Sequence, residues 1–433
     1  MVLSIIVGGA TCLAMILGVL FFPQIKIKKL KVDSYWVIVL IGALILIAVG
    51  GIDLKYLWSE LVKDSSMNPL KILVLFITMT ILSVFLDEVG FFSYLASRTL
   101  KLAKNSQMKL FVWLYVVVSV LTVFTSNDII VLTFTPFICY FAKNAKINPL
   151  PYLITEFVAA NTMSMTLIIG NPTNIYIATS YGVEFFEYFK IMFLPTLASA
   201  IVSFLILYLI FRKELKKPAE GTCELVQIKN KVFLVIGLIH LSLCTVILAI
   251  GSYINVEMWL VSLIFAVSLI VMILLICIIK RQKPVEVGKT LKRAPWQLVP
   301  FVLSMFTIIL ALQAHSVTDA ISGFLGNDHT VFKYGVLSFL SANLINNIPM
   351  SVFFCPIIAP LEGAVLQEAM YATIVGSNLG ALFTPIGALA GIMWSSMLKE
   401  HKVKFSYLSF VKYGAMISIP SLLSNLLMLS IIL

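Results

Sequence analysis

Charged side chains are scarce: 12% of the 433 residues are Asp, Glu, Lys or Arg, while 60% are hydrophobic. With a mean hydropathy of +1.04 and apolar runs of roughly 18–25 residues recurring along its length, the chain reads as a polytopic helical membrane protein. Paired cysteines are missing too. Cys12, Cys139, Cys223, Cys244, Cys277 and Cys355 are scattered, mostly in apolar runs, with no CxxC spacing, which argues for helix filler over disulfides or a metal centre. No HExxH pair and no Walker phosphate loop occurs, so neither intramembrane metalloprotease nor ATP-driven pump chemistry has residues to rest on. The chain is read as no enzyme, with no metal and no cofactor beyond a coupling ion, proton or sodium.

The net charge of +11 would suit nucleic acid or another anionic partner. Its positives, however, sit in short clusters between apolar runs, where the positive-inside rule places them. They set topology, and no nucleic-acid partner is expected. The first run, Leu3 to Phe22, has no basic flank ahead of it and is followed by Lys26, Lys28, Lys29 and Lys31; it reads as a span with its N-terminus outside rather than a cleaved signal peptide. Further clusters are Arg98, Lys101, Lys104 and Lys109; Lys143 and Lys146; Arg212, Lys213, Lys216 and Lys217; Lys280, Arg281, Lys283, Lys289, Lys292 and Arg293; and Lys399, Lys402 and Lys404. All can be cytoplasmic if the apolar segment between Lys109 and Lys143 enters and leaves on one side. Each of its arms is only about 15 residues, short for a span, so a re-entrant hairpin is expected, with Ser126, Asn127 and Asp128 at its tip. A second hairpin, with weakly charged or acidic flanks (Asp319, Asp328 and Lys333 before it, Glu362 and Glu368 after it), turns at "LINNIPMSVFFCP", 344–356, and enters from outside.

Side by side, the halves match in order: a span, a hairpin with an Asn-rich tip, an interrupted span and a final span. The expected fold is therefore an all-α polytopic membrane protein of about ten transmembrane helices plus two re-entrant hairpins, in two inverted-topology repeats with interrupted helices. Its parts are two N-terminal spans in 1–69, a first repeat in 70–213, a linker with two spans in 214–296 and the inverted second repeat in 297–433. The N- and C-termini fall outside a multi-pass protein of the cell membrane.

The interrupted spans carry "AANTMSMTLIIGNPTN" and "GSNLGALFTPIG", aligned so that Asn161 faces Asn378 and Pro172 faces Pro385. Pro172 cannot donate a backbone hydrogen bond and clashes with the preceding turn. The helix is therefore expected to restart there with Asn171 as cap, and Thr384 with Pro385 to repeat the arrangement. Paired interruptions in inverted halves point to a transporter's midplane site, where four helix N-termini converge on an anion or a polar, oxygen-rich solute. The candidate substrate-binding residues are Ser126, Asn127, Asn171, Thr173, Asn174, Asn346, Asn347, Asn378, Thr384 and Gly387. Asp128, a carboxylate at membrane depth, is the candidate for ion coupling. Asp87, Glu88 and Glu156 read as solvated edges of spans, and His240 as a hydrogen-bonded core histidine.

At these residues the chain resembles the ion transporter superfamily of citrate-transporter-like permeases, sodium-coupled divalent-anion symporters and arsenical pump membrane proteins. "LDEVGFF" at 86–92, "SNDIIVLTFTP" at 126–136, "SANLINNIPM" at 341–350 and "TPIGALAGIMW" at 384–394 are similar to signatures of the arsenical pump type. "GNPTN" is closer to the wider citrate-transporter-like group, and neither tip carries the Ser-Asn-Thr triplet of the divalent-anion symporters. The resemblance implies tips at Asn127, Asp128, Asn346 and Asn347 facing substrate, and breaks at Asn171 to Asn174 and Thr384 to Gly387 completing the site. It implies a secondary transporter, foremost exporting arsenite or antimonite against proton entry by alternating access. Sodium- or proton-coupled transport of a carboxylate or inorganic anion, and sodium/proton exchange, are the alternatives. The partners are a small ion and the lipid bilayer; the resemblance allows a homodimer, and no residue identifies a partner ATPase.

Overall fold

The computed structural model describes every residue except 1, 23, 28–29, 65–67, 103–105, 218–225 and 252–255. Cys223, Lys28, Lys29 and Lys104 lie outside the described residues. The first half runs α1 (Val2–Phe21), a two-stranded ribbon β1 (Gln24–Ile27) and β2 (Leu30–Asp33), α2 (Ser34–Ala48), α3 (Leu54–Val62), α4 (Pro69–Glu88) and α5 (Phe91–Leu102). The hairpin arms α6 (Gln107–Phe124) and α7 (Asn127–Asn144) follow, then α8 (Leu150–Met163), a 3-10 turn at Ile168–Gly170, α9 (Pro172–Ser180) and α10 (Phe185–Leu215). The second half repeats this order helix for helix: α11 (Lys231–Gly251), α12 (Met258–Ile279), α13 (Val285–Arg293), α14 (Leu298–Gln313) and α15 (Val317–Leu325). The second hairpin, α16 (Thr330–Ile345) and α17 (Asn347–Ile358), precedes α18 (Gly363–Gly380), a 3-10 turn at Pro385–Gly387, α19 (Leu389–Glu400) and α20 (Tyr407–Ile432). Apart from the ribbon, the regular secondary structure of the described residues is helical, because within a bilayer the backbone must satisfy its own hydrogen bonds.

Among the described residues seven helical stretches are long and apolar enough to cross a membrane: α4, α6, α10, α11, α12, the α13–α14 stretch Val285–Gln313 and α20. The polytopic helical fold with helical hairpins and interrupted helices is thus the observed one, although the arms of the first hairpin, α6 and α7, run 18 residues each against the expected length of about 15, and α6 is itself long and apolar enough to cross. The order of elements carries the correspondence past the expected repeats, since α1–α3 match α11–α13. These leading pairs are exchanged between halves: α2 packs on α14, with Tyr35 edge-on to Phe301 at a centroid distance of 5.0 Å, and α12 packs on α4, where Thr78 Oγ1 donates to Ser262 Oγ at 2.8 Å.

The broken helices match in backbone as well as order. Leu167 and Thr384, entering the 3-10 turns, have φ, ψ of −123, 153 and −132, 155; Asn171 and Ala388, leaving them, have −150, 142 and −151, 159. This corrects one alignment. Pro172, at the first position of α9, corresponds to Leu389 at the start of α19, whereas Pro385 opens a 3-10 turn and corresponds to Ile168. The register is anchored by the asparagines, since Asn161 and Asn378 each precede by nine residues the glycine that ends its turn, Gly170 or Gly387. Both glycines are required by space. A Cβ on Gly170 would lie 2.2 Å from the Ser164 carbonyl oxygen, and one on Gly387 would lie 2.5 Å from that of Gly380.

Candidate functional site

Both hairpin tips are helix starts. Ser126 precedes α7 in extended conformation, and Asn346, at φ 72, caps α17 by accepting from the Ile348 N–H at 3.3 Å. Each tip is tied to the broken helix of its own half. Asn127 Nδ2 donates to Asn161 Oδ1 at 3.0 Å; Asn346 Nδ2 donates to the Ile386 carbonyl at 2.9 Å, and Thr384 Oγ1 donates to Asn343 Oδ1 at 2.6 Å.

The two broken helices are tied to each other through one side chain. Asn378 Oδ1 accepts from Ser164 Oγ at 3.0 Å and Asn171 Nδ2 at 2.9 Å, while its Nδ2 donates to Asn174 Oδ1 at 2.7 Å and to the Ile374 carbonyl at 2.8 Å. That uses the full capacity of a primary amide. Asn171 Oδ1 caps α9 by accepting from the Thr173 N–H and hydroxyl, both at 3.1 Å, and Asn174 Nδ2 donates to the carbonyls of Ser164 at 2.7 Å and Leu167 at 3.2 Å. Thr173, Asn174 and Asn378 are entirely buried. These polar groups do not face open space; they form the brace that lets two interrupted helices cross inside a membrane protein with their freed backbone groups satisfied.

Open space lies beside them. A cavity of about 1030 Å³ is lined at depth by Ser126 and Asp128 of the first tip, Pro385 and Ile386 of the second break, Thr80 of α4 and Tyr35 of α2. The exposed side chains of Lys292, Lys399 and Tyr407 line its outer part. A second void, about 10 Å³ and so roughly one water in size, adjoins it among Tyr35, Phe301, Asn346 and Ile386. Of the expected residues, the large cavity therefore collects Ser126 and Asp128, the small one Asn346. Asn127, Asn171, Thr173, Asn174, Asn378, Thr384 and Gly387 line neither of these two. Asn347 opens α17, buried, its carbonyl accepting from Ser351 Oγ at 2.8 Å. No hydrogen bond or ion pair to Asp128 is found among the described residues, and Ser126 Oγ and the Tyr35 hydroxyl are buried without a partner.

Three acids differ from expectation. Asp87 and Glu88 are not solvated edges: their side chains are 8% and 10% exposed, and Arg293 at the end of α13 bridges them, Nη2 to Asp87 at 2.7 Å and Nη1 to Glu88 at 2.6 Å. Thr133 Oγ1 of α7 also donates to Asp87 at 2.8 Å, and Lys229 Nζ to the Glu88 carbonyl at 3.0 Å, so "LDEVGFF" opens with a clasp joining α4, α7 and α13 at the cavity's edge. Glu156 is fully buried in α8, both carboxyl oxygens within 3.1 Å of the Thr135 hydroxyl. The apolar α8 around it buries the acid, which nearness in sequence to Lys146 did not disclose. His240 has the expected core role, its ring nitrogens 2.8 Å from the Ile236 carbonyl and 3.2 Å from Ser268 Oγ. Tyr35, Thr80 and Arg293 are the cavity residues that sequence reasoning missed. Only the helix-start signal Asp33-Ser34 just ahead of Tyr35 hinted at one of them.

Two inverted halves, each with a helical hairpin and a broken helix, set around a cavity, define a secondary membrane transporter. The chain belongs to the citrate transporter family, whose model, described as "Citrate transporter", matches residues 31–376. It is 29% identical over 377 residues to the arsenical pump membrane protein of Escherichia coli (strain K12), covering 82% of this chain and 85% of that one. It is 28% identical over 373 residues to that of Yersinia enterocolitica, with the same coverage. The YdaH transporter of Alcanivorax borkumensis, described as having an unusual topology, shares the fold at a TM-score of 0.60 and 14% identity, over 99% of this chain and 97% of that one.

Proposed function

We propose that the protein exports arsenite or antimonite, with proton entry as the driving reaction. The cavity carries the reading: in its lining stand a carboxylate without a partner among the described residues and hydroxyl groups, and the arginine there is already engaged by Asp87 and Glu88. A neutral trihydroxy solute suits such a floor, because it offers O–H donors to a carboxylate and asks for no cation. The names of the arsenical pump relatives support the same substrate. The basic clusters line the open end, and the positive-inside rule assigns that end to the cytoplasm, where an exporter loads. Asp128 takes the coupling role because a carboxylate at membrane depth is costly unless it exchanges a proton or ion.

A second reading has one observation in its favour. Exposed Lys292 and Lys399 in the lining, together with the family's description, suit a carboxylate or inorganic anion, although Asp128 would repel such a solute at the floor. Everted vesicles under an inside-acid proton gradient separate the two. The expected result is arsenite accumulation that stops when the gradient is collapsed and is lost in Asp128→Asn vesicles. Accumulation no greater than in empty vesicles would refute the arsenite reading and direct the screen to sodium-driven anions.

A further inference from the structure

We infer that Tyr35, which lies outside the hairpins and broken helices, is a substrate-contacting residue, and that its hydroxyl completes the site begun by Asp128 and Ser126. Tyr35 stands in the first turn of α2, only 5% exposed, and lines both the large cavity and the water-sized void beside Asn346. Edge-on contact with Phe301 fixes its ring. Its hydroxyl is buried with no hydrogen-bond partner among the described residues, and it shares the cavity lining with Asp128. Ser126 Oγ, two residues before Asp128, is likewise buried and unpartnered.

An unmet buried hydroxyl is costly; others among the described residues, such as Thr122, Ser377 and Ser418, lack partners too, and place is what sets Tyr35 and Ser126 apart. Here two stand with an unpaired carboxylate around one space. A hydroxyl both donates and accepts, whereas an ionised carboxylate only accepts. The three groups together match a neutral solute with several O–H groups: Asp128 takes one proton donor, and Tyr35 and Ser126 exchange hydrogen bonds with the remaining oxygens. The position of Tyr35 adds a geometric role. It sits between the first tip, which brings Asp128, and the second tip and break, which bring Asn346 and Ile386. A solute held by Tyr35 therefore touches parts of both halves.

The inference takes its solute from the arsenite reading, so the test distinguishes the two. Initial rates of arsenite uptake into everted vesicles are measured against concentration for wild type, Tyr35→Phe and, as a control outside the cavity lining, Tyr208→Phe. One lost neutral hydrogen bond predicts a KM about threefold to tenfold higher for Tyr35→Phe, with maximal rate kept and Tyr208→Phe like wild type. A wild-type KM in Tyr35→Phe overturns the role. If wild type moves no arsenite, that reading falls, and labelling decides on Tyr35. Tyr35→Cys and Ser126→Cys, each in a chain whose six native cysteines are replaced by serine, are treated from the vesicle exterior with a charged thiol reagent. Modification of both supports a shared aqueous site; modification at Ser126→Cys alone overturns it.

Discussion

Replacing Arg293 by glutamine tests whether the clasp at the cavity's edge is ionic. In the wild type the guanidinium lies 2.7 Å from Asp87 and 2.6 Å from Glu88, two carboxylates whose side chains are 8% and 10% exposed. Removing the cation leaves both acids with little water and one remaining side-chain donor, Thr133 to Asp87. Breaking a fully buried pair costs about 3–5 kcal/mol. Arg293 is itself 38% exposed, so solvent screens part of that, and about 2 kcal/mol is the expected loss. At an unfolding entropy of about 2.1 cal/mol/K per residue, a chain of this length shifts by roughly 1 °C per kcal/mol, so the thermal midpoint in detergent should fall by about 2 °C. The triple variant Arg293→Gln, Asp87→Asn, Glu88→Gln removes the acids along with their counter-charge and should recover most of the loss, because the penalty in the single variant comes from stranded charge. Size-exclusion profiles after a temperature series provide the readout. A triple variant as unstable as Arg293→Gln alone would refute the electrostatic account and leave packing of the long side chain as the cause.

Other expectations follow from the brace and the helix contacts. Asn378→Ala strips partners from Asn171, Asn174 and Ser164; at about 1–3 kcal/mol for each stranded group, little monodisperse protein should elute, and a wild-type yield would contradict the bracing role. Thr135→Val removes the hydroxyl that faces both oxygens of Glu156 and should lower the melting midpoint by the equivalent of about 1–3 kcal/mol. Adding Glu156→Leu should then recover stability, and a double variant no better than the single would contradict a stranded acid as the cause. Gly376→Ala would place a Cβ 2.0 Å from Ser338 Oγ and 2.3 Å from the Gly335 carbonyl oxygen. The backbones of α16 and α18 must then part, and folded protein should be lost; normal elution would show that the helices can separate.

Punctuation residues made much of the fold legible. Pro172 with Asn171 marked a helix start to the residue, because proline fixes φ and an asparagine side chain caps, and both effects are local. At the second tip the capping side chain is that of Asn346, one residue ahead of Asn347, and at the first tip Ser126 holds the cap position without a side-chain hydrogen bond. Thr384-Pro385 misled by one turn: Gly387, pressed against the Gly380 carbonyl, holds the chain in a 3-10 turn before α19 begins. Which polar residues face the cavity was not legible, since asparagine at a break serves as ligand or as brace with the same sequence signature. Asn378 bonds to residues more than 200 positions away, and nothing in its neighbourhood announces them. Tyr35 and Arg293 escaped notice because they are brought to the cavity by exchange of leading helices between halves, a tertiary arrangement without local marks.

The wiring of Asn378 also bears on how the chain is made. Asn171 and Asn174 emerge from the ribosome 207 and 204 residues before their partner. At about 5–20 residues per second, their amides wait roughly 10–40 s for it. During that interval the nascent first half carries a helix break whose exposed polar groups cannot rest against lipid. It must be kept beside the translocation channel, or shielded by an insertion factor, until the second half arrives. Mutations that slow synthesis between these points should therefore reduce the amount of protein made while leaving each finished molecule fully active.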